Sequence, residues 1–441
     1  MSSGAGAGSA IATGPTTLSR TFETLARKYQ RPSRRTLCRI RRLLRTLGDP
    51  QERMPPAVHV AGTNGKGSTV AILRAIFEAA GYRAHVYTSP DIERFNERIR
   101  LAGRLIDDDA LNAVLTEVDG RNGNAESTFF EITTAAAFLA FSRVPADVVL
   151  LEAGCGGAND ATNAIAAPAC SVVTPVGIDH TEFFGPGLAE IAEEKAGILK
   201  PRCPCAIGRQ TATASAVLEA RARKIGAPLH RMGPDWQAVP CGSHWRYESA
   251  DRVLEFPLPG LPGRHQIDNA GLAVACLTRL KGFELTVESI AKGLGRIEWP
   301  GRMQRLTGGR LAQLLGARHQ LWIDGAHNAH AFAMLAQQAE LWRDRPLFLI
   351  FGAVQCREPA DLLTEIAPAV AGLQAVAIPE EPRSHAPETV LRAAEGLRIA
   401  AQAAASIGDA IVAIRETVKE PVRVLICGSL YLAGAALAAN G

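Results

Sequence analysis

The stretch Ala57-Val58-His59-Val60-Ala61-Gly62-Thr63-Asn64-Gly65-Lys66-Gly67-Ser68-Thr69 narrows the folds open to this chain more than any other. A short apolar run reads as a buried strand and breaks into glycines. From Ser68 to Ala80 the pattern resumes with a helical period, Val70, Leu73, Ile76 and Phe77 falling on one side. Strand, glycine loop, lysine and hydroxyl, helix is a layout that holds a triphosphate. The glycines admit backbone N–H groups to the phosphates, and the helix N-terminus adds partial positive charge. Across Gly62, Thr63, Asn64, Gly65, Lys66, Gly67, Ser68 and Thr69, Lys66 is expected to meet the β/γ-phosphates as a point charge. Ser68 or Thr69 is expected to face the metal–phosphate region. The spacing departs from the common P-loop, because Val60 and Ala61 stand where an opening glycine belongs.

A chain of 441 residues has room for two or three domains and a large core. Hydrophobic content of 47% and charged content of 21% are those of a soluble globular protein. The net charge of +4 is too small at this length to argue for nucleic acid or a membrane surface. Nine thinly spread cysteines make no disulfide framework, so reduced thiols and a reducing, cytoplasmic compartment are expected. No apolar stretch is long enough to span a bilayer. The opening segment, residues 1–17, is rich in Gly, Ala and Ser and predicts a disordered tail.

Beyond the tail, Leu18 to Leu47 reads as one helix with arginines on its outer side, stopped by Gly48-Asp49-Pro50. Strands are expected at Ala84–Thr88, Asp147–Leu151, Cys170–Pro175 and Cys205–Ile207, with helices at Asp107–Val118, about Glu131–Phe141 and Leu188–Ala196. Phe95 to Ala102 reads as a loop. Short antiparallel strands are expected between Arg231 and Leu261, then a helix from Asn269 to Leu280. Glu298-Trp299-Pro300-Gly301-Arg302 breaks the pattern and marks a domain boundary. Strand and helix then alternate again to Cys427, including a helix at Ala360–Val370. The fold class is therefore α/β: a P-loop-type, mostly parallel-sheet ATPase domain over 18–299, then a smaller Rossmann-like α/β domain over 300–441.

Polar groups gather just past strand ends, where ligands sit in doubly wound sheets. Ser89 closes one strand, Glu152 another, and Asp179 with His180 a third. A hydroxyl, a carboxylate and an imidazole beside a phosphate loop suit Mg²⁺, which keeps waters and needs few protein ligands. Asp324-Gly325-Ala326-His327-Asn328 ends the first strand of the second domain and is a candidate lip of a cleft between domains. Lys195, on a helix, reads from its surroundings as a solvated surface lysine.

Taken in order, these motifs resemble the folylpolyglutamate synthase and dihydrofolate synthase branch of the Mur ligase superfamily, from about Ile40 to the C-terminus. The resemblance rests on Gly62 to Ser68, Thr88-Ser89-Pro90, Phe95-Asn96-Glu97-Arg98-Ile99, Glu152-Ala153-Gly154, Asp160-Ala161-Thr162-Asn163, Asp179-His180-Thr181, Glu194-Lys195-Ala196-Gly197 and Asp324 to Asn328. It implies an ATP-dependent acid–amino-acid ligase that phosphorylates a pteroate or folate carboxylate and couples L-glutamate to the acyl phosphate. It further implies ATP on the glycine loop, with Arg302 and Asp324 bringing the second domain over it. Two Mg²⁺ ions are implied, with Ser89, Glu152 and His180 as ligands, and a carbamylated lysine at Lys195. Lys66, Lys195, His180 and His327 would be the catalytic group, and Thr128, Phe130 and Asp160 the pterin-side pocket. A monomer with no nucleic-acid or membrane partner is expected. The chain departs from the family pattern at four places. Asp91 stands for a histidine, Ala158 for an arginine and Ala329 for a proline, and Cys356-Arg357-Glu358 lies near where a Lys-Asp pair is usual. Losing a cation at Ala158 and gaining an anion at Asp91 predicts a less positive pocket.

Overall fold

A computed structural model describes residues 17–29 and 36–441. The predicted tail lies outside the described residues except Thr17, which opens the helix Thr17–Lys28. The long N-terminal helix is corrected to two described helices, Thr17–Lys28 and Leu37–Thr46. The second has its own N-cap, Thr36, whose side chain accepts from Cys38 N.

The first sheet has strands β1 (Ala57–Ala61), β2 (Ala84–Tyr87), β3 (Ile99–Leu101), β4 (Arg104–Leu105), β5 (Val148–Glu152), β6 (Cys170–Val173), β7 (Cys205–Ile207) and β8 (Leu229–Arg231). Their order is β4-β3-β2-β5-β1-β6-β7-β8. All pairings from β2 to β8 are parallel, and the β3–β4 edge is antiparallel. Every residue of β1, β2, β5 and β6 is buried, as a sheet covered on both faces requires. Val58, Val60, Val148 and Leu150 face a core shared with the helices Lys66–Ala79 and Arg264–Leu277. Ala57, Tyr87, Val149 and Leu151 face the opposite core, formed with the helices Asp108–Asn122 and Phe129–Arg143. The expected loop at Phe95–Ala102 is corrected: a 3₁₀ turn, Phe95–Arg98, leads into β3. Phe95 is held there by the Phe22 ring of the first helix, with centroids 4.6 Å apart.

The strands β9 (Trp236–Cys241), β10 (His244–Ser249) and β11 (Arg252–Pro257) form the expected antiparallel sheet. A third sheet comprises β12 (Gln304–Leu306), β13 (Gln320–Ile323), β14 (Leu347–Phe351), β15 (Val370–Ala375), β16 (Ala401–Ala403) and β17 (Arg423–Cys427). Its order is β12-β13-β17-β14-β15-β16, with only β12 antiparallel to its neighbour. The helix expected over Ala360–Val370 is shorter, Pro359–Leu363, because the 3₁₀ turn Ala367–Ala369 follows and Val370 already belongs to β15. Among the described residues, no helix is long and apolar enough to cross a membrane.

In the first sheet β1 lies between β5 and β6, so the chain turns to opposite sides on leaving its neighbours. The crevice outside the carboxyl ends of β1, β5 and β6 is the switch point where such sheets bind ligands.

Candidate active site

The loop after β1 is shaped by its glycines. Gly62 has φ +145°, and a Cβ there would lie 1.9 Å from Thr174 Oγ1. Gly65, at φ +87°, caps the helix Lys66–Ala79, whose first-turn N–H groups point into the crevice. Gly62→Ala is therefore expected to destabilise the protein by about 1–3 kcal/mol, since Thr174 is buried and has no room to retreat. Thermal unfolding checks this, and an unchanged melting temperature would show that the loop yields.

Other loop side chains brace the crevice. Thr63 N donates to Pro175 O at 3.0 Å, and the Thr63 hydroxyl donates to Gly177 O and accepts from Gly177 N, both at 3.0 Å. Thr69 Oγ1 donates back to Gly65 O at 2.8 Å, and Ser68 Oγ faces Gln266 Nε2 at 3.5 Å. The Thr69 hydroxyl thus uses its hydrogen within the loop and keeps its lone pairs, while Ser68 Oγ accepts only the long contact from Gln266. Lys66 Nζ, half-buried, donates to Thr63 O at 3.0 Å.

Around Lys66 stand the predicted metal ligands. Glu152, at the end of β5, is 5% exposed and accepts from Ser89 N at 3.3 Å. Burial pushes its carboxyl above the usual range, opposed first by Lys66 and then by the Ser89 N–H and Arg302. Ser89 Oγ and His180 Nδ1 are buried with no hydrogen-bond partner. His180 adopts a left-handed backbone, φ +54°, with its N–H on Asp179 Oδ1 at 2.9 Å, a conformation costly for a side-chain-bearing residue and common at functional sites. Among the described residues no three His, Cys, Asp or Glu side chains cluster as a metal cage. A carboxylate, an orphaned hydroxyl and an orphaned imidazole nitrogen nevertheless fit a hard divalent cation that keeps most of its waters.

Lys195 is not the solvated lysine its sequence surroundings suggested. It is 4% exposed, on the helix Leu188–Ala196, with Nζ 5.9 Å from the Phe184 ring centre. Burial, and after it the positive charge of Lys66, lower its pKa to about 8. The loop after β5 lies on this helix, with Ala158 N donating to Glu194 O at 2.7 Å and Asn159 N to Glu194 Oε1 at 3.0 Å.

The predicted pterin-side residues lie along one wall. Phe130 stands over Gly154 and beside Tyr87, with the two rings' centroids 6.1 Å apart. Thr128 caps the helix Phe129–Arg143, its hydroxyl accepting from Glu131 N at 3.0 Å, and Glu131 is in turn held by Arg39 at 3.1 Å. Asp160 accepts from Cys155 N at 2.9 Å and from Thr162 N and Oγ1 at 3.0 and 2.5 Å. Thr128 and Asp160 thus also shape the wall on which Phe130 stands.

The second domain reaches the same crevice. Asn64 and Asn328 exchange amide hydrogen bonds of 2.9 and 3.1 Å, and Asn328 Nδ2 also donates to Asp179 Oδ2 at 3.0 Å. Asn64 Nδ2 donates to His330 Nδ1 at 2.8 Å, and Arg357 pairs with Asp179. Burial pushes the Asp179 carboxyl up, but His180, His327 and Arg357 outweigh it and hold it below the usual range. Asp324 accepts from Met303 N and Ala326 N, both at 2.8 Å, so it pins the linker carrying Arg302 to the end of β13. His327 Nδ1 donates to Gly325 O at 2.8 Å, and burial holds the ring neutral to lower pH than usual.

Three departures have structural outcomes. Asp91 is paired with Arg98 at 2.6 Å, so the added anion expected from sequence is neutralised. Ala329 opens the helix Ala329–Leu341 directly after the Asn328 cap, the position where proline is tolerated but not required. Arg357 stands in the interdomain network.

Beside the loop opens a cavity of about 510 Å³ lined by Asn64, Gly65, Gln210, His265, Asn269 and His330, with Val176, Leu272 and Met334 as apolar walls. Sequence reasoning missed this wall. Its signal was His265-Gln266-Ile267-Asp268-Asn269, a polar run opening the helix Arg264–Leu277, which was expected to begin only at Asn269.

A phosphate-loop sheet whose switch-point crevice is closed over by a second α/β domain defines a Mur-type ligase. The family model for the Mur ligase middle domain matches residues 60–277, and that for the Mur ligase, glutamate ligase domain matches 301–430. The chain is 32% identical over 374 residues to the dihydrofolate synthase/folylpolyglutamate synthase of Escherichia coli K12, covering 84% of this chain and 83% of that protein. It belongs to the dihydrofolate synthase/folylpolyglutamate synthase family. The solved structure of E. coli FolC in complex with DHPP and ADP superimposes with a TM-score of 0.86 at 29% identity, covering 96% of this chain and 97% of that one. The Yersinia pestis bifunctional synthase complexed with AMPPNP and Mn ion gives 0.86 at 27% identity, covering 98% and 99%.

Proposed function

We propose that this chain is an ATP-dependent ligase that joins L-glutamate to dihydropteroate, and with lower efficiency to tetrahydrofolate. The observation that carries this reading is the convergence on one crevice of Lys66, Glu152, the orphaned Ser89 Oγ and His180 Nδ1, and the second domain's Asn328 and His327. The triphosphate lies on the first-turn N–H groups of the Lys66 helix, with its base in the adjoining cavity. The acceptor carboxylate attacks the γ-phosphorus, ADP leaves, and an acyl phosphate forms. The neutral glutamate amine then attacks the acyl carbon, inorganic phosphate leaves with the proton the nitrogen gives up, and an amide results. Lys66 and Arg302 neutralise charge that grows on the transferring phosphoryl oxygens, and positioning supplies the rest. Two Mg²⁺ ions are proposed; Ser89, Glu152 and His180 would hold one, and a divalent cation there would neutralise charge developing on the phosphoryl oxygens. Lys195 is proposed to be carbamylated, which would turn a buried cation into a carboxylate able to serve the second ion. The free state of all nine cysteines accords with a reducing, cytoplasmic setting.

Phe130 packs on the flat face of the pterin, and Asp160 marks the polar end of the same wall. Each added glutamate brings carboxylates toward a loop that carries Ala158. With Asp91 paired to Arg98, we assign the expected weakness on glutamylated acceptors to the missing cation at 158. ADP release and product analysis with dihydropteroate, tetrahydrofolate or no acceptor test the reading, glutamate being present throughout. Turnover on dihydropteroate is expected to exceed that on tetrahydrofolate, and Ala158→Arg to improve the latter about 10-fold, the scale of one added charge-assisted contact. No glutamylation of either acceptor would remove the substrate assignment. Improvement absent in Ala158→Arg would remove the charge explanation alone.

A further inference from the structure

In the common phosphate loop the residue after the lysine carries a hydroxyl that reaches Mg²⁺. Here that residue is Gly67. A Cβ on Gly67 would lie 2.6 Å from Cζ2, 3.0 Å from Cε2 and 3.2 Å from Nε1 of Trp299. The indole, coming from the linker between the two large sheets, therefore fills the place of the absent side chain and sets its N–H edge against the first turn of the phosphate-loop helix. The linker is fastened there, because Arg74, buried on the same helix, donates to Glu298 O at 3.1 Å. Gly301 N donates to Gln304 Oε1 at 2.9 Å on the far side of the ring's attachment.

Trp299 Nε1 is buried and has no hydrogen-bond partner. Three other tryptophans have acceptors: Trp236 Nε1 donates to His230 O and Trp245 Nε1 to Pro257 O, both at 3.1 Å, and Trp322 Nε1 to Gln320 Oε1 at 3.3 Å. A buried indole N–H ordinarily finds an acceptor, so one left without it against the phosphate-loop helix calls for an explanation. An indole N–H only donates, so it does not replace the hydroxyl as a metal ligand; its complement is an anionic oxygen.

We infer that Trp299 is a further nucleotide-binding residue, whose Nε1–H donates to an oxygen of the bound triphosphate from the position that a side chain at residue 67 would otherwise hold. The hydroxyl that the loop lacks there is supplied instead by Ser89, whose Oγ is orphaned beside Glu152. Because Trp299 immediately precedes Pro300-Gly301-Arg302, the same contact ties phosphate occupancy to the linker that carries the second domain. The inference rests on the ATP-binding reading above.

The test is the indole ¹H–¹⁵N spectrum of the full chain, with the Trp299 signal assigned by its absence from Trp299→Phe. Titration with AMPPNP and Mg²⁺ is expected to move the Trp299 N–H downfield, further than the other indole signals. Trp299→Phe keeps a ring against Gly67, and calorimetry is expected to show AMPPNP affinity lowered about 10- to 100-fold, the scale of a hydrogen bond to a charged group. A Trp299 signal that stays put at saturation, or an unchanged affinity in a folded Trp299→Phe, would overturn the inference. If that variant fails to fold, Trp299→Tyr and Trp299→His take its place for the assignment, and the wild-type titration decides. Absence of any AMPPNP binding by the wild-type chain would instead overturn the nucleotide-binding reading beneath it.

Discussion

Lys66→Ala is expected to lower ATP turnover by about 10²–10³-fold, the scale on which one preorganised charge donor acts in a transition state, while the melting temperature stays near that of the wild type. Among the described residues the side chain makes one hydrogen bond, to Thr63 O in its own loop, so the fold loses little. The site loses its central cation. Lys66 is the largest influence opposing the burial of Glu152, and it acts on His180, Lys195 and His327 as well. Without it the Glu152 carboxyl is driven further toward its protonated form, weakening a metal ligand as well as a phosphate contact. ADP release in steady state, together with a thermal melt, checks the prediction. Turnover close to wild type would remove Lys66 from its assigned place.

The second large effect is expected at Lys195. A buried ammonium next to Lys66 is doubly disfavoured, by desolvation and by like charge, and its pKa falls to about 8. A neutral amine is the form that adds to CO₂, giving a carbamate and releasing a proton. The product is an anion, so the repulsion with Lys66 becomes attraction. Lys195→Ala is expected to lose at least 10²-fold in activity, and a short carboxylic acid in the medium to restore part of it. In wild-type protein stripped of CO₂, reactivation at fixed dissolved CO₂ should quicken as pH rises toward 8 and level off above it, since the neutral fraction then saturates. A rate independent of pH between 7 and 9, or no added mass of a carboxyl group at Lys195 after trapping, would leave it a plain lysine.

Much of this molecule was legible without coordinates because the relevant signals are local. The phosphate loop, the apolar strands Ala57–Ala61 and Val148–Glu152, and the polar residues just past them follow from hydrophobic run length and from where glycine is required. Ser89, Glu152 and His180 could be placed on one edge because parallel strands all end on the same side of a sheet. The motifs that implied the family are likewise short and contiguous.

Tertiary structure decided what sequence distance hides. Asp91 reads as a free anion until the turn of Phe95–Arg98 brings Arg98 to 2.6 Å. Lys195 reads as a surface residue, because nothing in its own helix reveals that the loop after β5 covers it. Asn64, Asn328, Asp179 and Arg357 form one network although residues 64 and 328 are 264 positions apart. Trp299 reads as part of a domain boundary, and its ring also stands where the phosphate loop lacks a side chain. Periodicity and propensity describe a residue's relation to its chain neighbours. Burial, charge pairing and the lack of an acceptor for a buried donor are set by what the fold brings from elsewhere, and the chemistry of this site depends on those three.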